Sequence, residues 1–321
     1  MVTVLIRRKL FQGTLPLKGF MTLALLRVAA MARLKIVARL VALAPILLLP
    51  VGLSVSSLVY CEANTPSLPN ALTNAAGKPR WELGFGVGGQ ALPDYRGSNQ
   101  THIKALPLPL ILYTGRYIKI NRDGARGELF ENSRIQFNLS ADAALSGDGD
   151  DNTARAGMPE LDSAFEAGPS LNIRLSGPNF NDGWALRFPA RVVVTVGGEG
   201  VRQRGYVFNP RLVWRKPVIF GGWNLGVSLG ALWGSDKYHS YYYAVAPEYA
   251  TQARPVYEAR AGYSGSYSKI SLRRRWSSGW LLGVYLRYDN LSGATFEHSP
   301  LVRTEHYGAI GFGLGKTLWA L

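Results

Sequence analysis

The chain has 321 residues, a formal charge of +15, a single cysteine, and 47% hydrophobic residues. The first 63 residues hold eight basic and one acidic residue and so carry +7 of that charge, leaving +8 for the remainder. The remaining basic residues are spread singly rather than gathered on one helix, which excludes a nucleic-acid partner. The lone Cys61 excludes a disulfide framework or a cysteine metal site downstream.

Residues 1–63 read as an export signal. Arg33, Lys35 and Arg39 form a basic start, Leu40 to Leu58 is an apolar run broken by Pro45 and Pro50, and Cys61-Glu62-Ala63 supplies the small residues of a cleavage site after Ala63. Met21 and Met31 offer alternative starts, and a membrane-anchor helix is the competing reading. The bulky Tyr60 argues against lipid attachment at Cys61. Asn64 to Arg80 has no pattern and is expected to be a periplasmic segment ahead of a single domain, residues 81–321.

From residue 81 onward a two-residue rhythm takes over. Successive strand side chains point to opposite faces, so alternation marks a strand with one apolar side. Strand one is predicted over Trp81–Gly88, with Trp81, Leu83, Phe85 and Val87 outward and Glu82, Gly84, Gly86 and Gly88 inward; a polar loop, Gly89 to Ile103, follows. Leu108, Leu110 and Leu112 mark strand two, Thr114-Gly115 a tight turn, Ile118 and Ile120 a short strand three, and Gly124 to Asn132 a short strand four. Ile135, Phe137, Leu139, Ala141 and Ala143 alternate with Gln136, Asn138, Ser140 and Asp142. Gly147 to Pro159 reads as a loop. Phe165 to Arg174, Trp184 to Val194 and Tyr206 to Trp214 repeat the alternation, and Pro169, Pro189 and Pro210 predict local pairing defects or bulges.

Trp223 to Trp233 is the clearest strand: Trp223, Leu225, Val227, Leu229, Ala231 and Trp233 face Asn224, Gly226, Ser228 and Gly230. It has the length of a membrane-spanning strand and an aromatic at each end, where lipid headgroups would lie. No segment beyond residue 63 has the apolar run of a membrane helix. The predicted fold is all-β, a transmembrane antiparallel β-barrel of a Gram-negative outer membrane. Long outer loops are predicted at Gly234 to Pro255 and Asn290 to Glu305, with only Ser277-Ser278-Gly279 as a turn between them. Tyr257 to Trp276 must then be one descending strand, its change of phase absorbed by a bulge at Gly262 to Gly265. Trp280 to Tyr288 ascends and Tyr307 to Trp319 closes the barrel. The even count is twelve, or ten without strands three and four.

Inward positions collect arginines: Arg174, Arg187, Arg191, Arg211, Arg215, Arg260, Arg273, Arg275 and Arg287, with Glu82, Asp142, Glu166, Glu258 and Asp289 as counterparts. Charge is costly toward lipid, so these groups belong inside; Arg274, on the other phase, would snorkel near the periplasmic turn. The inner set reads either as an anion-preferring path or as a salt-bridged filling, and the small interior favours the filling. His239-Ser240 and His298-Ser299 are sequence neighbours, so neither is placed as nucleophile and base; a pair drawn from different strands is left open. Asp148-Gly149-Asp150-Asp151-Asn152 resembles part of a calcium loop but lacks the distal Glu and flanking helices. The glycines of Gly84 to Gly89 sit in a strand with no helix after it, so no phosphate loop is expected. Tyr241-Tyr242-Tyr243 is an aromatic cluster that either meets lipopolysaccharide or a partner, or packs within its own loop. No catalytic residue, cofactor or metal site is expected.

Trp81-Glu82-Leu83-Gly84-Phe85-Gly86, then Pro93-Asp94-Tyr95-Arg96-Gly97-Ser98, Leu129-Phe130-Glu131-Asn132, Arg155-Ala156-Gly157-Met158, the tyrosine-rich Tyr241 to Tyr257 and Ser299-Pro300-Leu301, in this order and spacing, resemble the MltA-interacting protein / OmpV family over roughly residues 80–319. The resemblance implies a non-enzymatic outer-membrane protein that bridges a lytic transglycosylase and a peptidoglycan synthase; its motif residues here are Pro93, Asp94, Tyr95, Gly97, Ser98, Arg155, Gly157 and Met158. It also implies contact with outer-membrane lipid and lipopolysaccharide and with the barrel-assembly machinery, which would read the end of the chain weakly or at Trp319, since Ala320-Leu321 follow. A narrow anion-leaning channel and a surface adhesin are the alternatives.

Overall fold

A computed structural model describes residues 80–114, 118–121, 124–144, 152–198 and 200–320. The proposed signal region, the segment 64–79 and the acidic stretch 148–151 lie outside the described residues.

Thirteen strand segments follow one another: β1 (Arg80–Pro93), β2 (Thr101–Thr114), β3 (Ile118–Asn121), β4 (Gly124–Glu131), β5 (Ile135–Ala144), β6 (Ser163–Arg174), β7 (Gly183–Gly197), β8 (Gly200–Phe208), β9 (Arg211–Ile219), β10 (Trp223–Gly234), β11 (Gly262–Arg275), β12 (Trp280–Asn290) and β13 (His306–Ala320). Each pairs antiparallel with its neighbour in sequence, apart from β8 and β9, and β13 pairs back onto β1 from Ala91↔Ile310 to Glu82↔Ala320, closing the ring. Segments β8 and β9 are two halves of one strand. Ala190 faces Phe208 and Arg187 faces Arg211, so the register to β7 is the same on both sides of the break. The ring therefore has twelve members, and the interruption is Asn209-Pro210, where proline has no N–H to give.

The other prolines act similarly. Between Ala167↔Val192 and Ser170↔Pro189 the ladder lapses around Pro169 and Pro189 without a change of register. True bulges fall elsewhere: the β7–β8 register shifts between Val193 and Val194, and the β10–β11 register shifts between Ala231 and Trp233, opposite Gly265 with φ +98°.

Polarity is inverted relative to a water-soluble protein. Phe85, Val87, Ile270, Leu286, Ile310, Phe312 and Leu318 are exposed on the outer face, while Gln136, Asn138, Ser170, Asn172, Arg187, Arg191, Arg211 and Arg215 are buried inside. A lipid-facing arginine at mid-membrane costs about 2–4 kcal/mol, so one choice of face is strongly preferred on these strands. Aromatic pairs mark both rims. Trp81–Tyr113, Trp184–Trp214 and Trp223–Trp276 lie at the end with the short turns, and Trp233–Tyr263 and Tyr288–His306 at the end with the long loops. Short turns mark the periplasmic side. There, the Arg274 guanidinium sits 4.9 Å over Trp276, which is how an outward arginine is tolerated.

Three expectations need correction, and one facing that the alternation leaves open is fixed by the structure. Strand β1 runs on to Pro93 instead of ending at Gly88, because Gly89 leaves room for the Phe312 ring of β13 and pairing continues. In β2, Leu110 faces inward and Pro107, Pro109 and Ile111 face outward; both phases are apolar there, so alternation cannot choose. Strand β11 begins at Gly262, not Tyr257: Tyr257 instead pairs with Val245 inside the outer loop. Glu258 and Arg260 are consequently exposed loop residues and do not line the lumen.

Glycines admit close backbone approach at specific points. A Cβ at Gly168 would lie 2.0 Å from the Ala190 carbonyl oxygen, whereas one at Gly198 would meet nothing within 4 Å. Gly168→Ala is expected to lower stability by about 1–3 kcal/mol in urea titrations of the refolded barrel, and Gly198→Ala to leave it unchanged.

Candidate functional site: the outer lid and the charged wall beneath it

The four long outer loops pack on one another. Tyr95, Leu161, Tyr243, Val245, Ala259, Leu291, Ala294, Phe296 and Leu301 form a buried apolar cluster, with Met158, Tyr241, Tyr242 and Val302 against it. The 235–261 loop contains a helix, α1 (Asp236–Tyr243), capped by the Ser235 hydroxyl, which accepts from the Tyr238 N–H. Tyr243 at the helix end stacks on Phe296 at 3.6 Å and 8°. Tyr241-Tyr242-Tyr243 is thus largely an internal element of the lid.

The motif residues meet here. The Asp94 carboxylate bonds His102 at 2.5 Å and accepts from the Asn152 amide at 2.7 Å; the same amide donates to Ser98 Oγ at 3.0 Å. Asn152, read from sequence as part of a cation-loop-like run, is 1% exposed and caps the short 3-10 turn Thr153–Arg155. The Tyr95 hydroxyl donates to the Leu301 carbonyl at 2.6 Å, and burial pushes its pKa up to about 12. Gly97, at φ +95°, turns its carbonyl to the N–H groups of Arg303 and Thr304. Arg155 donates to the carbonyls of Tyr242 and Pro159, both at 3.1 Å, and its guanidinium lies 5.9 Å from the Tyr95 ring centroid; burial lowers its pKa from the ordinary value. Gly157 follows at φ +75°, and Met158 packs on the cluster. Pro93 ends β1.

Below the lid lies a buried carboxylate. Asp289, fully buried, bonds Arg287 at 2.6 and 2.8 Å and Arg96 at 3.3 Å, while Arg96 Nε donates to the Tyr307 hydroxyl at 3.1 Å. Arg96 comes from the first loop, Arg287 and Asp289 from β12 and Tyr307 from β13. Arg287 also lies 4.1 Å over the Tyr267 ring, whose hydroxyl donates to Asn209 at 2.9 Å. Asp289 thus joins the wall to the lid.

The remaining inner arginines occupy different settings. Arg191 meets Asp142 at 3.1 Å, Glu166 at 3.4 Å and Ser140 at 3.3 Å. Arg275 meets Glu82 at 2.6 Å. Arg187 and Arg211 stand directly opposite each other on β7 and β9. Arg211 donates to the Asn209 side chain at 3.1 Å, and Arg215 to the Asn181 side chain at 2.5 Å and the Phe180 carbonyl at 3.4 Å. Arg174 turns to the Pro178 carbonyl in the periplasmic turn, at the rim and not in the lumen.

One contact was invisible in the sequence. His239 accepts from Ser264 Oγ through Nε2 at 2.5 Å and donates from Nδ1 to the Arg260 carbonyl at 2.5 Å, the tautomer that this pair of partners requires. It is a serine–histidine pair drawn from α1 and β11. Both residues are buried, His239 at 0% and Ser264 at 1%, with Phe296 packed edge-on against the imidazole at 4.8 Å. The pair staples α1 to the start of β11. Among the described residues, no group of His, Cys, Asp and Glu is arranged to hold a metal ion.

The ring, its inverted polarity and the packed loops define an outer-membrane β-barrel whose outer loops pack on one another. No curated protein matches the chain. Residues 85–318 match the family described as MltA-interacting protein MipA, and the chain belongs to that family.

Two outcomes test the lid. Asp289→Asn leaves Arg96 and Arg287 buried without their carboxylate, so it should cost about 3–5 kcal/mol and open the outer loops to protease. Burial lowers the His239 pKa below its ordinary 6.5, so above that value neither folded nor unfolded state is charged. As pH falls through it, the unlocked lid takes up the proton first and the closed lid loses stability. Hydrogen exchange in α1 should therefore quicken, beyond its intrinsic pH dependence, between pH 7.5 and 5.5 (roughly, around the ordinary imidazole value), and His239→Gln should abolish that excess.

Proposed function

We propose that this protein is a non-enzymatic outer-membrane scaffold of a Gram-negative bacterium that holds murein-remodelling enzymes, a lytic transglycosylase and a peptidoglycan synthase, at its periplasmic face. Membership of the MltA-interacting protein family is the observation that carries the reading. The packed lid favours it over a channel, since the apolar cluster occupies the outer end. A hydrolytic role is disfavoured by the burial of His239 and Ser264, where no substrate reaches the hydroxyl.

The periplasmic turns are the surfaces available to such partners. The end of β9 and the turn that follows it are distinctive: Val218 has φ +52° and is 70% exposed, and Phe220 is 80% exposed. A β-branched residue in the left-handed region is strained, and its N–H is held by the Asn224 side chain at 3.1 Å. This fixed tip presents an aromatic anchor of the kind that dominates protein interfaces. The test is crosslinking in intact cells with a tag on the periplasmic side. Enrichment of a lytic transglycosylase or a peptidoglycan synthase, reduced about tenfold or more by Phe220→Ser as expected for loss of a hot spot, supports the scaffold. Capture of assembly machinery and bulk porins alone, together with conductance in a planar bilayer, would replace it with the channel.

A further inference from the structure

We propose that the lipid-facing side of β11–β13, at the periplasmic rim, is a binding site for the headgroup of an anionic phospholipid of the inner leaflet, its phosphate held between Arg274 and Lys316. This goes beyond the scaffold reading and does not depend on it.

The strands that send their other arginines inward make two exceptions here. Arg274 follows Ile270 and Leu272 on the outward phase of β11, and Lys316 follows Phe312 and Leu314 on that of β13. Register brings the two cations to one stretch of wall. Arg274 pairs with Leu282 of β12, and Leu282 pairs with Leu314 of β13, two residues before Lys316; Lys316 itself pairs with Trp280. Two strand spacings, about 10 Å, separate β11 from β13. Both side chains are long and flexible, so both can meet one phosphate lying over β12.

The surroundings of this pair are apolar or aromatic. The Arg274 guanidinium lies 4.9 Å over the Trp276 ring, and the Lys316 ammonium 5.5 Å from the Trp280 ring centroid. Trp223, directly across from Arg274 on β10, packs edge-on against Trp276 at 6.3 Å. Indole rings collect at headgroup depth and steady a cation there, but they bring no negative charge. The turn from β11 to β12, Ser277-Ser278-Gly279, carries no acid, and among the described residues neither cation meets a carboxylate. Lys216 shows the contrast. It follows Leu212 and Trp214 on the outward phase of β9, at the same rim, and it is paired with Asp182 at 3.2 Å.

The membrane supplies the missing anion at this depth. A phosphodiester accepts charge-assisted bonds from a guanidinium and an ammonium together. The acyl chains of the same lipid would run up the wall over Val284, Leu286 and Phe312, which are exposed on the outward phase. A zwitterionic headgroup brings an ammonium of its own, for which this stretch of wall offers no carboxylate. The site therefore favours a lipid with net negative charge over phosphatidylethanolamine.

The experiment uses the full chain refolded in maltoside micelles. Phosphatidylglycerol and phosphatidylethanolamine with the same acyl chains are titrated in separately, following thermal unfolding. Saturable stabilisation by phosphatidylglycerol beyond that by phosphatidylethanolamine supports the site if it weakens about tenfold in Arg274→Gln and Lys316→Gln, since one lost charge-assisted bond is worth about that factor. It should be retained in Lys316→Arg and in Lys216→Gln, whose lysine has its own acid. Equal stabilisation by the two lipids, Gln variants at 274 and 316 that respond like the unsubstituted protein, or an equal loss in Lys216→Gln, which marks a diffuse charge effect, would overturn it. Lys316 is exposed on the outer surface, so should Arg274→Gln fail to fold, the comparison of Lys316→Gln with Lys216→Gln still decides.

Discussion

Everything in this molecule depends on one requirement, that backbone N–H and C=O groups facing lipid find partners within the sheet. In hydrocarbon no water stands in for a missing bond, so an open sheet edge is not tolerated there. The β1–β13 pairing meets the requirement by removing the edges. Composition along that seam follows from it. Gly84 and Gly86 of β1 lie opposite Thr317 and Gly315 of β13, and a Cβ on either glycine would sit 2.1–2.4 Å from a carbonyl oxygen of β13. The glycines that resemble a phosphate loop in the sequence are the residues that let the first and last strands meet.

Closure has a second consequence. With the lipid side apolar, polar groups are driven into a narrow interior, where each must find a partner. Gln136 accepts from Asn138 and Asn172, Arg191 gathers two carboxylates, and Tyr267 and Tyr285 lie across Gly230 and Gly311 of adjacent strands. Aromatic rings covering glycines fill the wall where a side chain is missing. Asp289 extends this logic upward. Its two arginines come from the wall and from the first loop, so the lid is anchored to the barrel by a charge that tolerates loss of neither partner.

The strands were legible because the membrane enforces a strict alternation over Ile135–Ala144, Ser163–Arg174 and Trp223–Gly234. Legibility failed where the rule relaxes. Leu110 could be placed on neither face by pattern, because Pro107, Pro109 and Ile111 on the other phase are equally apolar. Tyr257–Ala261 kept a two-residue rhythm yet left the sheet, since beyond Gly262 the chain is outside the membrane and the rhythm no longer reports on lipid. The lid was not legible at all. Its bonds join Tyr95 to Leu301, Asp94 to Asn152 and Arg155 to Tyr242, far apart in the chain, and nothing local in the sequence signals such pairs. The motif stretches named Asp94, Tyr95 and Arg155 without saying what they touch. Their chemistry is mutual: they hold one another.

That mutual arrangement bears on what the protein can be. Residues shared with a family are often read as a binding surface, but Tyr95, Asp94, Ser98 and Arg155 are buried and committed to the lid. A surface made of them would require the lid to come apart. What these residues do in the structure is hold the outer loops to one another, and the periplasmic turns lie at the opposite end of the strands, beyond their reach. Phe220, by contrast, stands exposed at a periplasmic turn, outside the lid and free of its bonds.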